Sequence, residues 1–162
     1  MNIAIRVYTD AGMFFGIISV PSRLRLFDFI NLSPQFLNFM GKEVTDIDEP
    51  VSNLTEIYVN KKAIKLLTTV FEDDGRGVGV KDTVYQFVQK KPVSVKISLS
   101  DYEITGNLYS SEEGSMSDLL EKNLPFLPCT EVKIRNINNN RSLDVSFAAI
   151  NKNNISAIEK VG

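Results

Sequence analysis

Histidine is missing from all 162 positions of this chain. That removes the commonest general base, the usual proton shuttle and the commonest zinc ligand together. Cysteine occurs once, as Cys129, so neither an internal disulfide nor a His/Cys metal cluster can be built within one chain. An excess of positive charge is also lacking: 18 Lys and Arg stand against 20 Asp and Glu, a formal charge of −2, and the isoelectric point lies near 5.2. Binding a polyanionic duplex draws on clustered basic residues, so nucleic acid is not the expected main partner. The basic pairs Lys61-Lys62 and Lys90-Lys91 read as solvated strand ends. No apolar run reaches the roughly eighteen residues of a membrane-crossing helix. The opening Met1-Asn2-Ile3-Ala4-Ile5-Arg6 has none of the basic start, apolar stretch and small-residue cleavage site of a secretion signal. A cytoplasmic location is the expectation, and a single cysteine agrees with a reducing compartment.

What is there is 43% apolar and 23% charged, the balance of a folded chain rather than a disordered one. Its most informative feature is a pattern met twice, at an offset of about ninety positions. Ile5 meets Val95, Val7 meets Ile97, Gly16 meets Gly106, Leu26 meets Met116, Asp28 meets Asp118, Ile30 meets Leu120, and Phe36-Leu37 meets Phe126-Leu127. A two-residue deletion then brings Glu43-Val44 onto Glu131-Val132, and re-expansion sets Val59-Asn60-Lys61 on Ile150-Asn151-Lys152. The pattern predicts two tandem units, 1–71 and 83–162, with 72–82 as an acidic, glycine-rich linker. Because a unit of about seventy residues buries only a modest core, the two are expected to pack together or share strands.

Each unit reads as β-β-α-β-β-β. Alternation of Ile3, Ile5 and Val7, and of Val93, Val95, Ile97 and Leu99, marks half-buried strands that turn at Thr9–Gly12 and at Ser100-Asp101 into second strands, 13–20 and 102–109. Gly16 and Gly106 lie inside those second strands, where glycine marks a bulge, strong curvature or close backbone approach. Leu24, Leu26, Phe27 and Ile30 suit a short helix with Ser22 as its start, and Met116, Leu119 and Leu120 repeat it after Ser115. Proline-marked irregular segments follow, whose Phe36-Leu37 and Phe126-Leu127 pairs plug the core. Further strands are expected at 43–47, 54–59 and 63–70, and at 131–137, 142–150 and 155–161, with Asn60-Lys61-Lys62 and Asn151–Asn154 as hairpin turns. An extra strand at 83–91 leads the second unit. The fold class is therefore mainly β with short helices, an α+β arrangement of two small antiparallel barrel-like or sheet units.

Few residues carry chemistry. Gly75-Arg76-Gly77-Val78-Gly79 lacks the Lys-Ser/Thr or full glycine spacing of a phosphate-binding turn and precedes a strand pattern instead of a helix, so it reads as a loop. Asp28 and Asp118 occupy matching places in the first turn of their helices, where unpaired amides and the helix dipole favour a carboxylate; capping explains both better than acid–base work. Cys129 reads as a small buried apolar residue, since no histidine can activate it. Lys61 and Lys152 correspond, each after an asparagine, and read as turn residues that face solvent or an anion. Arg23 and Arg25 flank Leu24 without counterparts in the second unit. Arg23, Arg25, Lys61 and Lys152 are thus the candidate partner contacts; no catalytic, cofactor or metal residue is assigned and no small-molecule substrate is evident.

The run Gly16…Arg25-Leu26-Phe27-Asp28-Phe29-Ile30-Asn31…Phe36-Leu37…Asn60-Lys61…Ile64 resembles a pattern of small bacterial domains: a glycine-bearing strand, an Arg-Leu-x-Asp helix, a Phe-Leu plug and an Asn-Lys-x-x-Ile hairpin. The second unit departs from it at Ser115 and Glu121. The resemblance implies a small β-barrel type of fold and no assigned reaction. The expected function is that of a non-enzymatic binding or assembly module, self-associating or docking as an accessory subunit of a larger protein complex. Single-stranded nucleic-acid binding through Tyr8, Phe14, Phe15, Tyr58 and Tyr109 is one alternative; a small enzyme built on carboxylate, tyrosine and lysine chemistry is the other.

Overall fold

Alternation in the first residues produces β1 (Asn2–Thr9), with Ile3, Ile5 and Val7 buried on one side. It pairs antiparallel with β2 (Gly12–Ser19) through a turn held by Thr9, whose Oγ1 accepts from the amides of Ala11 and Gly12 and donates to the Gly12 carbonyl at 2.8 Å. The computed structural model of the chain describes residues 1–32, 34–46, 49, 52–71, 90–111, 116–122 and 124–161. After β2 come α1 (Leu26–Leu32), β3 (Phe36–Val44), β4 (Thr55–Asn60), a 3₁₀ turn at Lys61–Ala63 and β5 (Ile64–Thr69). The same succession follows in β6 (Lys90–Ser98), β7 (Tyr102–Ser111), α2 (Met116–Glu121), β8 (Phe126–Asn136), β9 (Ser142–Asn151), a 3₁₀ turn at Lys152–Asn154 and β10 (Ala157–Lys160). The linker 72–82 and residues 83–89 of the expected leading strand lie outside the described residues; Lys90 and Lys91 open β6.

These strands form one antiparallel sheet in the order β10-β6-β7-β8-β9-β5-β1-β2-β3-β4. The architecture is mainly β, with short helices of two turns or less packed on the sheet. The barrel-like closure expected from the sequence is not formed by the described strands, because the sheet is open. The edge of β5 that could have closed the first half is occupied by β9, leaving β4 and β10 as the outer strands among those described.

Three further expectations change. The Asn60 and Asn151 segments are not hairpin turns, since β4 pairs with β3 while β5 pairs with β1 and β9. Nor do these asparagines use positive φ: at φ of −66° and −70° they act through their side chains, accepting from the Lys62 and Asn153 amides to cap the 3₁₀ turns. Phe36-Leu37 and Phe126-Leu127 open strands β3 and β8 instead of lying in irregular segments. Finally, the deletion that aligned Glu43 with Glu131 is replaced by a bulge. Glu43 pairs with Phe14, whereas Glu131, at φ of +52°, falls at the register shift between Thr105 and Asn107 beside Gly106.

Two hydrophobic clusters result. Ile3, Ile5, Val7, Ile18, Leu26, Ile30 and Leu37 centre the first; Val95, Ile97, Ile104, Leu108, Leu127 and Ile134 centre the second. Gly16 serves the first. It stands opposite Gly41, and a Cβ on it would lie 2.1 Å from Cδ2 of Phe39, whose ring covers both glycines. Gly16→Ala therefore forces that ring out of the core. The expected cost is about 1–3 kcal/mol of unfolding free energy, measured by urea denaturation with an unchanged slope.

Candidate functional site

The position that organises the surface is the seam where β5 meets β9. Leu66 pairs with Ile150, Leu67 with Ala149 and Thr68 with Ala148. Every residue of β5 is buried, with Ile64 and Leu67 in the first cluster and Leu66 in the second. From the other side Phe126, Phe147 and Ala149 of β8 and β9 enter the first cluster. Polar bonds then sew the two halves together. Asn151 Nδ2 donates to the Ile64 carbonyl at 2.9 Å, Asn154 Nδ2 donates to the same oxygen at 3.1 Å, and the Phe126 amide donates to Asn31 Oδ1 of α1 at 3.0 Å.

Lys65 completes the seam and was not singled out from the sequence. Its side chain is 6% exposed, with Nζ 2.6 Å from Asp101 Oδ2 and 3.1 Å from Asp10 Oδ1, and 5.9 Å from the Tyr102 ring centre. Burial lowers the pKa of this ammonium, but the bonds and charges of Asp101 and Asp10 outweigh it and the net shift is upward. Bonding to Lys65 in turn lowers the pKa of Asp101. A cleft of about 730 Å³ opens beside this cluster, bridged by Arg141 and Asp46 at 3.3 Å.

The residues chosen from the sequence fall in several places. Arg23 is exposed before α1. Arg25 forms a two-pronged ion pair with Asp28, Nε to Oδ2 at 2.8 Å and Nη2 to Oδ1 at 3.2 Å, so Asp28 orients an arginine at the helix start. Asp118 lies exposed in the first turn of α2. Lys61 is half-buried, and burial lowers its pKa. Lys152 Nζ donates to the Leu120 carbonyl at 3.0 Å and to that of Lys122, bringing positive charge to the C-terminal end of α2. Arg25 and Lys152 meet at a cleft of about 490 Å³ that Phe27, Tyr109, Lys122 and Phe126 also line; Arg23 and Lys61 do not line it.

Of the candidate stacking aromatics, Tyr8 is buried against Tyr102 edge-to-face at 5.5 Å, and Phe14 packs on the first cluster. Tyr58 and Tyr109 remain exposed. Burial pushes the Tyr8 hydroxyl up to about 12 and raises Tyr102, and it pushes the Cys129 thiol up to about 12 as well. Among the described residues no three His, Cys, Asp or Glu side chains gather as metal ligands, and no helix is long and apolar enough to cross a membrane.

The remaining surface of note is the outer edge at β4. Phe36 and Tyr58 are 48% and 60% exposed there. Phe126 and Ala149, which hold the same register positions beside β9, are 2% and 0% exposed. No single-residue signal in the sequence separates Phe36 from Phe126; only the location of the seam does.

Replacing both seam carboxylates, Asp10→Asn with Asp101→Asn, leaves the Lys65 ammonium unpaired. The expected loss is about 2 kcal/mol, less than for a fully buried pair because the carboxylates reach water, read by urea unfolding near neutral pH. The Asp101 pKa is lowered in the fold, so its contribution is present above about pH 4 and is lost as pH falls through the lowered value, where variant and parent converge. Cys129, with its raised pKa and full burial, should react with a thiol-specific disulfide reagent at least about a hundredfold more slowly in the native protein than after unfolding. Compared with protein-family models, with curated proteins and with solved structures, the chain matches none.

Proposed function

We propose that this chain is a non-enzymatic assembly module of two equivalent ββαβββ units, 1–71 and 83–162, which joins copies of itself or a larger protein complex through its sheet edges. The observation that carries this reading is the seam: β9 already adds to the edge of β5, so edge-to-edge addition is the means by which the chain unites its own halves. Equivalence of the units is supported by register. Phe36↔Asn60, Leu37↔Val59 and Phe39↔Ile57 in β3–β4 have the same spacing as Phe126↔Asn151, Leu127↔Ile150 and Cys129↔Ala148 in β8–β9. The asparagine-capped 3₁₀ turns support it too. An unpaired strand edge with apolar side chains beside it offers backbone groups to an incoming strand.

Sedimentation and light scattering on purified protein should give a species heavier than the 18.2 kDa chain, increasing with concentration. A strictly monomeric protein from micromolar to millimolar concentration, retaining no partner from a lysate, would argue against the assembly reading.

A further inference from the structure

Resting on that reading, we infer that the partner at the open edges is a second copy of this chain, docked head-to-tail: β4 of one copy adds to β10 of the next in the register of the internal β9–β5 seam. The outer strands correspond to the seam strands. β4 holds the place of β9 beside β3, and β10 holds the place of β5, since Ala157↔Ser98 and Ile158↔Ile97 match Leu66↔Tyr8 and Leu67↔Val7. Carrying the seam pairs across places Ala157 opposite Val59, Ile158 opposite Tyr58 and Glu159 opposite Ile57 of the neighbour.

Four observations favour this occupant. First, the apolar surface left open at each edge is what the seam covers internally. Phe36 and Tyr58 are exposed where Phe126 and Ala149 are buried. On the other side, α2 has no fully buried residue, whereas α1 buries Leu26 and Ile30 beneath the incoming Phe126 and Phe147. Phe36 of a neighbour would reach the half-covered Met116, Leu119 and Leu120. Second, charge is complementary in that register. Continuing the seam register one step past Thr68↔Ala148 would set Lys160 of one copy beside Glu56 of the next, both exposed and of opposite sign; within its own copy the Glu56 carboxylate accepts from Asn38 Nδ2 at 3.3 Å, which leaves it free to take a second partner.

Third, the seam bond from Asn151 Nδ2 to the Ile64 carbonyl has its counterpart in Asn60 and the Ile155 carbonyl of the neighbour. Fourth, the Asn31 acceptor that receives the Phe126 amide is replaced by Glu121, whose carboxylate can accept from the Phe36 amide. Because the two edges differ, the contact is heterologous and propagates, closing into a ring if the rotation per copy divides a full turn and extending into a fibre otherwise.

The test reverses charge at two exposed positions. Glu56→Lys alone and Lys160→Glu alone should each require about tenfold more protein to assemble. The double variant, and an equimolar mixture of the two single variants, should assemble like the parent, as followed by sedimentation and native mass spectrometry. Tyr58→Cys and Ile158→Cys add a register readout: under mild oxidation a mixture of these single variants should give a one-to-one disulfide dimer that neither forms alone. Assembly that ignores Lys160→Glu, or that mixing does not restore, would overturn the head-to-tail contact while leaving an assembly module in place. A parent protein monomeric at every concentration would overturn both.

Discussion

The pairing of β5 with β9 is the constraint on which the rest of this protein depends. A strand whose six residues are all buried must be covered on both faces and both edges. Here β1 and β9 take the edges, and the two hydrophobic clusters take the faces. Neither cluster is complete without side chains from across the seam: Phe126, Phe147 and Ala149 enter the first, and Tyr8 and Leu66 enter the second. Removing the second half would uncover the β9-facing edge of β5 and leave the Lys65 ammonium without Asp101, so the two halves of the sheet are energetically coupled.

The polar bonds of the seam show why this contact is specific as well as apolar. Hydrophobic burial is non-directional and would tolerate a slipped register. A slip by one residue would turn Leu67 away from its cluster and break the Asn151–Ile64 and Asn31–Phe126 bonds together. The Lys65 ion pairs pin the turn end of the same strand. Register is therefore held at both ends of a short pairing.

Chemistry is placed sparingly. The groups with the strongest pKa shifts, Tyr8 and Cys129, are shifted by burial, and a proton donor held near 12 is a poor general acid at neutral pH. Arg25 and Lys152, chosen from the sequence for a partner's acidic groups, are bound to Asp28 and to helix carbonyls. Their charge orients α1 and α2 on the sheet. The exposed side chains Phe36 of β3, Tyr58 of β4 and Lys160 of β10 lie at the two ends of the sheet.

Much of this was legible in the chain. Alternation of Ile3, Ile5 and Val7 set the strands, and Gly16 and Gly106 marked the close approach of Phe39 and the bulge at Glu131. These are local properties, governed by side-chain period and by the space around a missing Cβ. What the sequence could not decide was pairing between strands distant in the chain. An edge of β5 has the same backbone groups whether it closes on β4 or accepts β9, and only the packing of two clusters against one shared strand chooses between them. That choice turned an expected pair of barrel-like or sheet units into one open sheet, and buried Phe126 while leaving Phe36 exposed.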